Sequence, residues 1–169
     1  QKKYDVCKKT LKKSLFSKKM LVYLYMCIIC SNFVAEMNES MRAISPSLLA
    51  ADFGNLQREC EMINASSAEY LHIDVMDGVF VPNISFSFPV METCKKHCTK
   101  PLDVHLMITH PENYVERFCD AGAWSVGFHI EAVDDPMPAI ELIRKKGVRT
   151  CLTINPKTDI HALDPYLGE

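Results

Sequence analysis

The sequence predicts an α/β fold, a parallel sheet whose strands alternate with crossover helices. Three observations predict it. From Arg42 onward, short β-type runs and helical segments alternate five times over. The spacing of the repeat suits right-handed strand–helix–strand crossovers. No glycine-rich dinucleotide or P-loop motif follows the first strand, while polar residues stand at the C-terminal ends of several strands. The last observation favours a closed barrel over a doubly wound sheet, because barrel sites are built at those strand ends. The expected architecture is therefore a (β/α)8 TIM barrel, represented by roughly its first five β/α units.

The elements follow in order. Ala43 to Ser47 reads as a strand running into a loop. Asn55 to Ile63 is helical, since Leu56, Cys60 and Ile63 share one face. Tyr70 to Val75 is the second strand. Pro89 to Lys96 is a helix with proline in its first turn, where the missing N–H is harmless. Leu102 to Met107 is the third strand, and Pro111 to Asp120 a helix closed by Gly122. Ser125 to Ile130 is the fourth strand. Pro136 to Lys146 is a helix ending in two lysines and Gly147, which suits a helix C-terminus. Arg149 to Ile154 is the fifth strand. Asp159 to Tyr166 has the pattern of a fifth helix, interrupted by Pro165.

The chain has 169 residues, 48% hydrophobic and 24% charged, with a formal net charge of -2. That balance excludes disorder and gives no electrostatic footprint for nucleic acid. The charge is uneven. Residues 1–19 hold eight lysines, and Met20 to Cys30 is a continuous apolar run. A basic stretch followed by a short apolar run has the shape of a targeting segment. The run is short for a membrane span, which needs about 20 apolar residues. Residues 1–40 are thus a separate extension: non-native or upstream sequence, a targeting segment, or a short membrane anchor. Met41 is a candidate start.

The eight cysteines do not read as a disulfide framework. Cys60, Cys119 and Cys151 lie in apolar, patterned segments, where a free thiol behaves as a small hydrophobe. Cys27 and Cys30 have no second pair at zinc spacing.

The chemistry concentrates on three strands. Strand side chains alternate between faces, so His72, Asp74 and Met76 share one face of the second strand. Asp103, His105 and Met107 share the matching face of the third, and His129 and Glu131 follow on the fourth. Burying histidine and aspartate is costly unless they pair or hold a metal. Imidazole with carboxylate suits Zn, Fe, Mn or Co rather than calcium. Asp103 reads as a supporting residue. Glu131 reads as a partner of His129 or of a metal ligand. Met76 and Met107 read equally as core fillers or as an apolar wall.

Four segments carry a resemblance. They are Ser45 to Phe53 (SPSLLAADF), His72 to Asn83 (HIDVMDGVFVPN), Leu102 to Met107 (LDVHLM) and Phe128 to Ala132 (FHIEA). In this order and spacing the chain resembles the ribulose-phosphate 3-epimerase family from about residue 42 to 167. The resemblance implies 3-epimerisation of D-ribulose 5-phosphate to D-xylulose 5-phosphate through a metal-stabilised enediolate, with two acid/base groups. It implies one divalent metal ion, Zn, Fe, Mn or Co, held by His72, Asp74 and His105. It makes Asp74 one of the two acid/base aspartates, and places Ser47, His105, Met76 and Met107 against the substrate. The implied partner is a small-molecule sugar phosphate, with no nucleic acid, and the full-length enzyme is expected to be a homo-oligomer. The expected compartment is the cytoplasm, with targeting or membrane attachment only if the N-terminal segment is real.

The resemblance also sets expectations about what these residues lack. Residues 41–169 read as a partial barrel domain, without the second aspartate, one metal ligand and the phosphate-holding loops of the later strands. The chain as given is therefore expected to be an inactive fragment with an exposed sheet edge. Lys157 stands where the family often has glycine. Competing readings are an epimerase of a related ketose phosphate, such as allulose 6-phosphate, and a non-catalytic remnant.

Overall fold

The computed structural model describes Ile28–Ile29 and residues 43–167. The basic stretch, the rest of the Met20–Cys30 run, Cys27, Cys30 and Met41 lie outside the described residues. The strands are Ile28–Ile29 (β1), Leu71–Met76 (β2), Leu102–Met107 (β3), Ser125–His129 (β4) and Arg149–Thr153 (β5). The helices are Leu56–Ala65 (α1), Phe88–His97 (α2), Val115–Asp120 (α3) and Met137–Lys145 (α4).

The sheet order is β1-β5-β4-β3-β2, with β2 to β5 parallel and β1 antiparallel to β5. Each parallel strand lies beside its neighbour in sequence, with one helix between. A doubly wound sheet reverses its order at a switch point. A barrel does not, so the four parallel strands are a segment of a barrel wall. On the β5 edge, Ile28 pairs with Leu152 and Ile29 with Cys151, so backbone from the extension covers part of that edge.

Register follows from burial. Leu71, Ile73 and Val75 on β2 stand beside Leu102, Val104 and Leu106 on β3. These continue into Val126 and Phe128 on β4 and Leu152 on β5. All face the helices and join Met91, Cys94, Phe118, Ile140 and Ile143 in one apolar core. Burying each such side chain contributes about 1.5–3 kcal/mol. A shift of one residue would turn this whole set to the opposite face.

Local signals set the helix ends. Pro89 sits in the first turn of α2. Gly147 closes α4 with φ 71°, a left-handed conformation that costs glycine little. Its N–H donates to the Arg144 carbonyl and that of Val148 to Ile143, satisfying carbonyls that the helix leaves over.

Four expectations need correction. The expected strand at Ala43–Ser47 is only an extended segment beside β2, with one bridge between Ser47 and His72. Pro46 has no N–H to donate to a ladder, although its carbonyl accepts from His72 N at 2.9 Å. The helix expected from Pro111 is a 3-10 turn, Pro111–Asn113, followed by α3; Tyr114 breaks the helical path at φ -123°. The fifth helix is a 3-10 segment, Ile160–Tyr166, with Pro165 inside it. Cys151 is disulfide-bonded rather than a free apolar thiol, whereas Cys60, Cys94, Cys98 and Cys119 are free. Among the described residues no helix is long and apolar enough to cross a membrane.

Candidate metal centre

The face of the sheet away from the helices carries the polar residues. Strand alternation turns His72 and Asp74 inward on β2, Asp103 and His105 on β3, and Ser125 and His129 on β4. Pairing then aligns them in rows, with His72 beside Asp103 beside Ser125, and Asp74 beside His105 beside Gly127.

Three donor atoms converge at the second row. His72 Nε2 lies 3.2 Å from Asp74 Oδ1, and His105 Nδ1 lies 3.5 Å from the same oxygen. One donor from each residue falls within 4.8 Å of the others. Ligands about 2.1 Å from a tetrahedral or octahedral ion stand roughly 3.0–3.4 Å apart. The spacing and the two-imidazole, one-carboxylate chemistry therefore fit a divalent transition ion. Among the described residues this is the group of its kind that could hold a metal.

Each donor is held from behind. His72 Nδ1 is 2.8 Å from Asp103 Oδ2, and the Ser125 hydroxyl donates to Asp103 Oδ1. This bond turns His72 Nε2 toward Asp74. The Ser47 hydroxyl donates to Asp74 Oδ2 at 2.5 Å. His105 Nε2 is 3.0 Å from His129 Nε2, and His129 Nδ1 is 3.4 Å from Glu131 Oε2. Glu131 Oε1 in turn accepts from Asn155 N at 2.7 Å and from the Thr158 hydroxyl.

The electrostatics follow from this packing. Burial opposes charge on His72, but hydrogen bonds to Asp103 and Asp74 overcome it and hold the imidazole at about 10. Burial would raise Asp74, yet hydrogen bonds from His105 and His72, then the charge of His72, hold it well below the usual carboxylate range. Asp103 is likewise lowered against burial, chiefly by His72. Burial, reinforced by His105, pushes His129 down to about 4 against the pull of Glu131. The cluster thus keeps anionic carboxylates beside an imidazole that an incoming cation must deprotonate.

The remaining sequence candidates lie at the same end of the sheet. Met76 and Met107 stand opposite each other as the last pair of β2 and β3. Met107 is buried, and Met76 Sδ accepts from Asn83 Nδ2 at 3.4 Å. Ser47 enters through its bridge to His72 and its bond to Asp74.

Two residues were not singled out from sequence. Ser125 anchors Asp103 and was findable from the alternation on β4. Asp77 ties the two strand exits together. Its Oδ1 accepts from Val79 N at 2.8 Å and Phe80 N at 2.9 Å, and its Oδ2 from Thr109 N at 2.7 Å and the Thr109 hydroxyl at 2.8 Å.

The chain is similar to proteins of known family. Residues 43–169 match the family model described as Ribulose-phosphate 3 epimerase family. The chain is 42% identical over 124 residues to a ribulose-phosphate 3-epimerase of Mycobacterium tuberculosis, covering 73% of this chain and 52% of that one. It is 41% identical over 125 residues to a cytoplasmic isoform from Oryza sativa subsp. japonica, covering 73% and 55%. A Treponema pallidum enzyme of the same name is 41% identical over 124 residues, covering 73% and 57%. The chain spans about half the length of the curated relatives it matches.

Proposed function

Since this chain belongs to the ribulose-phosphate 3-epimerase family, we propose that its site serves the 3-epimerisation of D-ribulose 5-phosphate to D-xylulose 5-phosphate. The observation that carries the reading is the convergence of His72 Nε2, Asp74 Oδ1 and His105 Nδ1 on the inner face of β2 and β3, with a hydroxyl on the same carboxylate. A divalent ion held by these three residues, Zn, Fe, Mn or Co, would supply Lewis-acid stabilisation for the oxyanion that forms as the C3 proton leaves.

Asp74 is the group that takes or returns that proton on its face of the substrate. It is suited to the task because its neighbours keep it ionised and fixed. The C3–H bond breaks, the proton passes to the carboxylate, and the electron pair moves toward the C2 carbonyl to give the enediolate. Ser47 holds Asp74 in orientation and meets substrate hydroxyls at the mouth. His105 contributes to the same wall, and Met76 and Met107 line it with thioethers, which exclude water without competing for the proton.

Inversion requires a second acid/base group on the opposite face. The reading assigns that group, a further metal ligand and the phosphate-holding loops to residues other than these 169. It also places the complete enzyme in the cytoplasm as a homo-oligomer. A relative named as a cytoplasmic isoform supports the compartment.

The test is conversion of D-ribulose 5-phosphate by the protein as the cell makes it, followed by NMR. The expected result is epimerisation that falls about 10²–10⁴-fold on Asp74→Asn, and none from these 169 residues alone. Natural protein that does not epimerise, or that is indifferent to Asp74→Asn, would overturn the reading.

A further inference from the structure

Barrel sites are entered at the C-terminal ends of the strands. In this chain the loops at that end comprise residues 47–55, 77–87, 108–114, 130–136 and 154–159. Carboxylates such as Asp77, Glu112, Asp134 and Asp135 make the rim acidic. Lys157 is the one lysine or arginine within these five loops. Arg58, in the first turn of α1, is paired with Asp52 at 3.2 Å and with Glu59 at 3.0 Å.

Lys157 is placed differently. Thr158 N donates to the Asn155 carbonyl at 2.9 Å, closing a turn with Pro156 and Lys157 at its centre. Pro156 fixes its own φ. Both ends of the turn donate to Glu131 Oε1, through Asn155 N at 2.7 Å and the Thr158 hydroxyl. The other Glu131 oxygen stands 3.4 Å from His129 Nδ1. The carboxylate on the strand beside this turn is therefore already engaged. Lys157 is exposed, and among the described residues its ammonium has no carboxylate within ion-pair distance. The base of the side chain is thus held, while the ammonium can meet an anion on its flexible four-carbon stem.

A phosphate monoester carries about −1.5 to −2 charges near pH 7. An acidic rim repels such an anion, and an unpaired ammonium at the entrance offsets the repulsion. We propose that Lys157 captures the phosphate of the sugar-phosphate substrate at the mouth of the site, without taking part in proton transfer. The proposal rests on the function proposed above and deepens it by naming a residue that favours phosphorylated over neutral sugars. Lys157 acts ahead of the phosphate-holding loops that the same reading assigns to other residues. A unit charge acting on a dianion across about 10 Å of water changes affinity about threefold at low salt.

The experiment is a charge series at position 157 in the protein as the cell makes it: Lys157→Arg, Lys157→Gln and Lys157→Glu. Epimerisation of D-ribulose 5-phosphate is measured at ionic strengths of about 0.01 M and about 1 M. At low ionic strength KM is expected to rise about threefold in Lys157→Gln and about tenfold in Lys157→Glu, and to stay near wild type in Lys157→Arg. kcat should stay level across the series, and the KM differences should vanish at high ionic strength, where the charges are screened. A merely structural role for the turn would give losses that salt does not remove. KM unmoved by Lys157→Glu at low ionic strength, a change that persists at high ionic strength, or a fall in kcat in place of the rise in KM would overturn the proposal. Inorganic phosphate, titrated against the same variants and followed by ³¹P NMR, reads capture without turnover. Wild type that binds phosphate in the order Lys157 above Lys157→Gln above Lys157→Glu, yet does not epimerise, would sink the proposed function and leave the capture role standing.

Discussion

On β2 and β3, Leu71, Ile73, Val75, Leu102, Val104 and Leu106 turn to the helices and are almost fully buried. The residues between them, His72, Asp74, Asp103 and His105, turn the other way and bond chiefly to one another and to Ser47, Ser125 and His129. The same backbone carries both sets in the same register. Parallel strands covered on both faces usually read as continuous apolar runs. Here His72, Asp74, Asp103 and His105 break that rule, at a cost in burial that only pairing or a bound ion offsets. The outer face is generic, since another apolar set of equal volume would serve. The inner face is specific, because the polar groups of His72, Asp74, Asp103 and His105 are matched to named partners.

The comparison is broken most directly by exchanging effects between the faces. Asp74→Asn should abolish divalent-ion binding. At an ion concentration of about 100 Kd, the wild-type chain should gain about 2.7 kcal/mol of stability and the variant none, read as the shift of a thermal melt. Leu106→Ala should cost about 2–5 kcal/mol of stability, measured by urea unfolding. Its folded fraction should keep wild-type ion affinity. An outer-face variant that lost ion affinity while folded would erase the distinction.

A third prediction sharpens it through pH. His72, raised to about 10 from 6.5, contributes stability to the metal-free fold that is complete below about pH 6.5 and is lost as pH rises through about 10. Ion binding must release that proton. Affinity should therefore rise roughly tenfold per pH unit across the neutral range and level off above about 10. Calorimetry in buffers of different ionisation enthalpy reads the released proton.

The smallest effect belongs to neither face. Asp77 accepts four hydrogen bonds at the strand exits, which, against a desolvation penalty, hold it down at about 2. Its contribution is present above about 3.8 and lost as pH falls through about 2. Because the group is only half-buried, Asp77→Asn should cost only about 1 kcal/mol. That difference should vanish near pH 2 in urea midpoints.

Period-two alternation made both faces legible in the sequence and put His72, Asp74, Asp103 and His105 on one of them, while the choice of His72, Asp74 and His105 among them came from the family resemblance. Proline and glycine marked helix ends at Pro89 and Gly147 because those residues act locally. What stayed hidden is set by partners far along the chain. Asp77 meets Thr109 only after β2 and β3 align. The first strand dwindles to one bridge because its ladder depends on β2 and Pro46 cannot donate. The disulfide state of Cys151 likewise depends on pairing that local pattern does not encode.

The central claim is that the inner face forms one divalent-ion site from His72, Asp74 and His105. The direct measurement is titration of the metal-free chain with Co²⁺, followed by its visible absorption. The account predicts saturation at one ion per chain, with the spectrum lost in Asp74→Asn and in His72→Ala. A chain that takes up no Co²⁺, or a spectrum unchanged by both substitutions, would contradict it.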